Sequence, residues 1–169
     1  SHQVYGLVAW DLVHLSDVHR GLVDVAQVDK VPSHQAVDLM TIMPHVEATG
    51  LLVHVPTTHG HIISVIATLT DHMTRDDILA AFSAHPRIRV VRIADGFSSN
   101  TSLFKYARDL GRPRGDMYEI AVFEETLALS RREVMFAINI PQEAVVVPET
   151  IDGVRAALRT QEDRLEAVG

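Results

Sequence analysis

Val55-Pro56-Thr57-Thr58-His59-Gly60-His61, running into Ile62-Ile63-Ser64-Val65-Ile66-Ala67-Thr68-Leu69-Thr70, decides how this chain folds. The second half reads as a strand. β-Branched residues dominate it, and Ser64, Thr68 and Thr70 alternate with Ile63, Val65 and Leu69 at period two. The first half reads as a corner. Pro56 has no N–H to give a central ladder, so the apolar run Leu51–Val55 ends there as a preceding strand. Two hydroxyls, a glycine and two histidines thus stand where one strand stops and the next begins. Histidine at such a place can act as an acid or base near neutral pH. The plainer reading is that Thr57 and Thr58 satisfy turn backbone and that His59 and His61 lie on the surface.

Around that corner the composition sets bounds. The chain has 169 residues, enough for one domain with a real core, and is expected to be a single domain from 1 to 169. Hydrophobic residues make up 47% and charged residues 22%, which implies a further buried face such as a subunit or domain interface. A net charge of −7, with no basic stripe to offset it, argues against nucleic acid as a partner. No cysteine is present, so there is neither a disulfide nor a thiolate nucleophile nor a thiolate metal site. No apolar run reaches membrane-spanning length and no signal peptide is visible, so the expected location is cytoplasmic.

Working outward, Val4 to Val28 is apolar and alternating and reads as one or two strands with a turn near His19-Arg20-Gly21. His14-Leu15-Ser16-Asp17-Val18-His19-Arg20-Gly21 resembles the opening of a metallophosphoesterase, but the Gly-Asp-x-x-Asp and Gly-Asn-His partners of that metal site are absent. A polar turn is the better reading. Ser33 is placed to cap a short helix carrying Val37, Leu39 and Met40. Beyond the organising strand, Thr74-Arg75-Asp76-Asp77 is a capping-box variant, with Ile78, Leu79 and Phe82 inward and Pro86 as the stop. A strand follows at Ile88–Ile93. Ser98 or Ser99 then caps a helix with Leu103, Phe104, Ala107 and Leu110 inward and Gly111 at its end. Strands at Tyr118–Phe123 and Val134–Ile140 come next, and Pro148 marks the start of a last helix with Ile151, Val154 and Leu158 on one face. This order predicts an α+β fold, a mixed, largely antiparallel sheet covered by helices mainly on one face. A doubly wound nucleotide-binding sheet is excluded for want of Gly-x-Gly-x-x-Gly.

Five stretches occur in an order and spacing that belong together: Pro32-Ser33-His34; Val55-Pro56-Thr57-Thr58 with His61; Tyr106-Ala107-Arg108-Asp109-Leu110-Gly111-Arg112-Pro113-Arg114; Asp116-Met117-Tyr118-Glu119; and Gln142-Glu143-Ala144-Val145-Val146-Val147-Pro148-Glu149. Together they resemble the catalytic domain of archaeal-type (type II) phosphorylating glyceraldehyde-3-phosphate dehydrogenase, over roughly residues 30–160. The resemblance implies a cysteine thiolate attacking the aldehyde, a histidine as its base, hydride transfer to NAD or NADP, and release of the acyl group by phosphate. It puts the catalytic histidine on His61. It puts binding of a small phosphorylated aldehyde on Ser33, His34, Gln35, Thr57 and Thr58, and contact with the nicotinamide on Gln142. A homo-oligomer is implied as well.

The departures weigh equally. The family nucleophile lies in Ser-Cys-Asn-Thr-Thr-Gly-Leu, and the nearest match here is Ser1-His2-Gln3-Val4-Tyr5-Gly6-Leu7, without a thiol. The arginine-bearing segment before Pro32 is shortened, the second histidine of the corner is Ile63, and the NAD(P)-binding Rossmann domain is missing from this sequence, so the cofactor domain is expected elsewhere, in a longer chain or as a separate Rossmann-domain partner. Three readings follow. The chain is a catalytic-domain fragment or altered form, inactive as given; or it is a degenerate relative kept for assembly; or it is a histidine-based metal protein, since His59 and His61 at i, i+2 share a strand face. The resemblance itself implies no metal.

Overall fold

A computed structural model of the chain describes residues 2–11, 27–28, 31–54 and 60–158. The elements in order are β1 (His2–Asp11), β2 (Gln27–Val28), α1 (His34–Ile42), β3 (Val46–His54), β4 (His61–Thr68), α2 (Arg75–Ser83), β5 (Ile88–Val91), α3 (Asn100–Asp109), β6 (Ile120–Phe123), β7 (Ala128–Ser130), β8 (Glu133–Ile140) and α4 (Gln142–Ala157). The strands form one sheet in the order β2-β3-β1-β4-β8-β6-β5, with β7 paired to β8. Pairings β2·β3, β1·β4, β4·β8, β6·β8 and β7·β8 are antiparallel, and β1·β3 and β5·β6 are parallel. The α+β class and the mixed, largely antiparallel sheet are therefore as the sequence implied.

Strand β4 sits at the centre because its alternation suits burial on both faces. Ile63 and Val65 are buried with Leu52, against Ile138 and Phe136, while Ile62 turns the other way and packs with Val91, Leu103, Ala107 and Ala121. The register agrees, pairing Ile63 with Ile138 and Ile62 with Asn139. Helix α3 covers the Ile62 face through Leu103 and Ala107, both almost fully buried. Helix α2 reaches the opposite face, where Ile78 and Phe82 pack near Val134 and Phe136, with the two phenyl rings edge to face at 5.1 Å.

Local chemistry fixes the helix ends. Thr74 Oγ1 accepts from the Asp77 amide at 3.1 Å and the Asp77 carboxylate accepts from the Thr74 amide at 2.9 Å, closing the capping box. Ser99, rather than Ser98, caps α3, in a reciprocal exchange with Ser102. At its far end Gly111 takes φ 76, its amide donates to Arg108 and the Arg112 amide donates to Ala107, a Schellman stop.

Two expectations are corrected. Leu110 is 52% exposed, because it is the C-cap residue and the stop turns it off the buried stripe of α3. Pro148 does not open the last helix but lies inside α4, which begins at Gln142 behind Pro141. Its ring is fully buried, so packing holds a residue that the backbone alone would exclude there.

Candidate functional site

His61 opens β4 and is 8% exposed, on the face that carries Ile63 and Val65. Its register partner is Ile140, the last residue of β8. Two residues later Gln142 begins α4, exposed to solvent. The sheet thus brings His61 and Gln142 to one end. Gly60 makes the join: its φ of 62 is a conformation that favours glycine, and its amide donates to Glu143 Oε1 at 3.4 Å. A Cβ at Gly60 would stand 2.9 Å from the Ile140 carbonyl oxygen, so β4 can start this close to β8 only with glycine there.

Ser33 and His34 are elsewhere. Ser33 is the N-cap of α1, accepts from the Ala36 amide and donates its own amide to the Gly50 carbonyl at 2.8 Å. Strand β1 lies between β3 and β4, so two strand spacings, about 10 Å, separate Gly50's strand from His61's. Along the strands the register sets His61 level with His54, four residues beyond Gly50 and so about 13 Å further on. His34 is exposed at the first position of α1, and Gln35 is half-buried with Oε1 accepting no hydrogen bond among the described residues. Thr57, Thr58 and His59 lie outside the described residues, as does the His14–Gly21 motif. No group of three or more histidines, aspartates or glutamates that could hold a metal occurs among the described residues.

Sequence reasoning passed over two polar residues at this end. Glu143 meets Gly60, and Asn139 sits 2% exposed in β8 on the face opposite His61. Asn139 had a visible signal, being the one amide in the apolar run Val134–Ile140. Nearby, a part-buried ion pair braces the loop after α3. Arg112 grips Glu119 in a two-pronged pair at 2.7 and 2.9 Å, and its guanidinium lies 5.4 Å from the Tyr118 ring centre.

Comparison with known proteins decides the family. The model of the glyceraldehyde 3-phosphate dehydrogenase C-terminal domain matches residues 10–110. This chain belongs to that family. It is 41% identical over 142 residues to the glyceraldehyde-3-phosphate dehydrogenase of Hyperthermus butylicus, covering 83% of this chain and 41% of that protein. It is 39% identical over 140 residues to the enzyme of Methanocaldococcus jannaschii, covering 82% and 41%. The chain therefore spans about two fifths of the length of these curated dehydrogenase relatives. Among solved structures, aspartate semialdehyde dehydrogenase II of Vibrio cholerae superposes with a TM-score of 0.64 at 11% identity, over 85% of this chain and 50% of that one. That likeness is one of fold. The sequence of this member contains no cysteine.

Proposed function

We propose that this chain is the catalytic half, or an altered form, of a glyceraldehyde-3-phosphate dehydrogenase, and that alone it does not oxidise glyceraldehyde 3-phosphate. The observation that carries the reading is a dehydrogenase family match on a chain with no thiol. The family chemistry needs sulfur to form the thiohemiacetal and thioester. His61, the counterpart of the family base, has no thiol in this chain to deprotonate. Gln142, exposed in the first turn of α4, is free to meet the carboxamide of a nicotinamide, and NAD or NADP would supply the hydride acceptor when bound. Thr57 and Thr58, close to His61 in sequence, are proposed for the small phosphorylated aldehyde; Ser33, His34 and Gln35, which the resemblance also assigns to it, stand apart from His61 in this chain. A cytoplasmic setting suits such a substrate.

The test is to incubate the purified chain with glyceraldehyde 3-phosphate, phosphate and NAD or NADP and to follow reduced cofactor. No turnover above a His61→Ala control is expected. Turnover clearly above that control would overturn the reading.

A second reading, an assembly role, is favoured by α4. Val147, Ile151, Val154 and Leu158 recur at i, i+4, i+7 and i+11 and are all exposed, an apolar stripe that invites a second copy or a separate Rossmann domain. Sedimentation at micromolar concentration tests self-association. A clean monomer would leave a separate cofactor domain as the cover.

A further inference from the structure

On the sheet face away from His61, a cavity of about 360 Å³ opens between the ends of β8, α3 and α4. Phe104, Met117 and Ala144 supply apolar wall, and Gly60, Asn139 and Glu143 stand at its polar end. Asn139 is 2% exposed, and its Oδ1 is fully buried and accepts no hydrogen bond among the described residues. A buried amide carbonyl left so is costly, and native interiors fill such positions with a donor. Gly60 clears the approach: a Cβ there would stand 3.3 Å from Asn139 Oδ1. The charge on the lining is also decided. Arg114 is taken up by Asp116 at 2.6 Å, which leaves the Glu143 carboxylate as the lining charge without a cation partner among the described residues, held toward the site by the Gly60 amide.

A buried acceptor, a carboxylate and an apolar wall define a complementary ligand. We infer that this cavity is a binding site for a compact organic cation, an amine or amidine whose N–H groups reach Asn139 Oδ1 and Glu143 while its apolar body lies against Phe104 and Met117. The site is independent of the dehydrogenase reading, since it lies on the other face of the sheet from His61 and uses neither it nor Gln142.

Titration of the ¹⁵N-labelled chain with benzamidine, benzamide and benzoate tests the inference. Benzamidine is expected to bind saturably, moving the amides of Gly60, Phe104 and Ala144, with benzoate at least about tenfold weaker because Glu143 repels it. Asn139→Leu, which removes the acceptor at similar volume, is expected to weaken benzamidine by about tenfold or more. Glu143→Gln on the exposed side keeps the test sound should Asn139→Leu fail to fold, and is expected to weaken benzamidine severalfold while leaving benzamide unchanged. Three results would each overturn the inference: no saturable binding, which means that the cavity holds water only; benzamide as tight as benzamidine; or affinity unaffected by Glu143→Gln.

Discussion

Arg112 and Glu119 close a two-pronged ion pair, at 2.7 and 2.9 Å, that ties the Schellman stop of α3 to the entry of β6. Arg89 adds a second cation at 3.4 Å from the same carboxylate. Both members of the pair are largely shielded, Glu119 the more so. Removing one partner of a shielded pair leaves the other charge uncompensated, so Glu119→Ala is expected to cost about 2–3 kcal/mol, below the ~3–5 of a fully buried pair. Urea unfolding of Glu119→Ala, Arg112→Ala and the double variant checks this. Strong coupling, with the double variant less damaged than the sum of the singles, is expected.

The same carboxylate makes stability depend on pH. Burial alone would raise its pKa, but the Arg112 hydrogen bonds and the charges of Arg112 and Arg89 outweigh burial and hold it below the usual range. A group whose folded pKa is depressed contributes stability above its unfolded value, about 4.3, and that contribution fades as pH falls through the folded value. Thermal midpoints measured from about pH 6 down to about pH 3 are therefore expected to fall more steeply for the native chain than for Glu119→Gln. Parallel curves would remove this pair as the cause.

Ser33 separates a structural from a functional role. It caps α1 and is 3% exposed, so Ser33→Ala is expected to lower stability by about 1 kcal/mol. Ser33→Asp keeps a capping acceptor and is expected to recover much of that loss in the same denaturation experiment. Failure to recover would mean that the serine matters for something other than its cap.

Much of the fold was legible in the sequence where its cause is local. The alternation of Ile62–Thr68, the Thr74–Asp77 box and the Ser99 and Gly111 ends of α3 each act within a few residues, and each formed. What could not be read depends on distant segments meeting. β1 inserts between β3 and β4, consecutive strands that the sequence brings to one corner, and this insertion sets Ser33 and His34 apart from His61. The Asn139 cavity likewise needs β8, α3 and α4 together. The run Val145-Val146-Val147, β-branched throughout, is helical because Ala144, Val145 and Pro148 have a buried surface to meet.

Gly60 is expected to tolerate no side chain. Gly60→Ala meets both a left-handed φ and the Ile140 carbonyl oxygen 2.9 Å away, for a cost of about 1–3 kcal/mol. The strain sits beside His61, so the His61 ring resonances are expected to shift even where the variant remains folded. An unchanged midpoint with unchanged ring signals would show that the join between β4 and β8 has slack.

Pro148 sets two opposing effects against each other inside α4. As an interior proline it lacks the amide that would bond the Ala144 carbonyl, a penalty of about 3 kcal/mol relative to alanine. Its ring is fully buried, and trimming it to alanine removes two ring carbons, about 1.6 kcal/mol of apolar burial at ~0.8 per methylene. The backbone effect is the larger, so Pro148→Ala is expected to raise stability by about 1 kcal/mol, read as a higher urea midpoint with an unchanged slope. A lower midpoint would mean that the ring's packing, with the void it leaves behind, outweighs the recovered hydrogen bond.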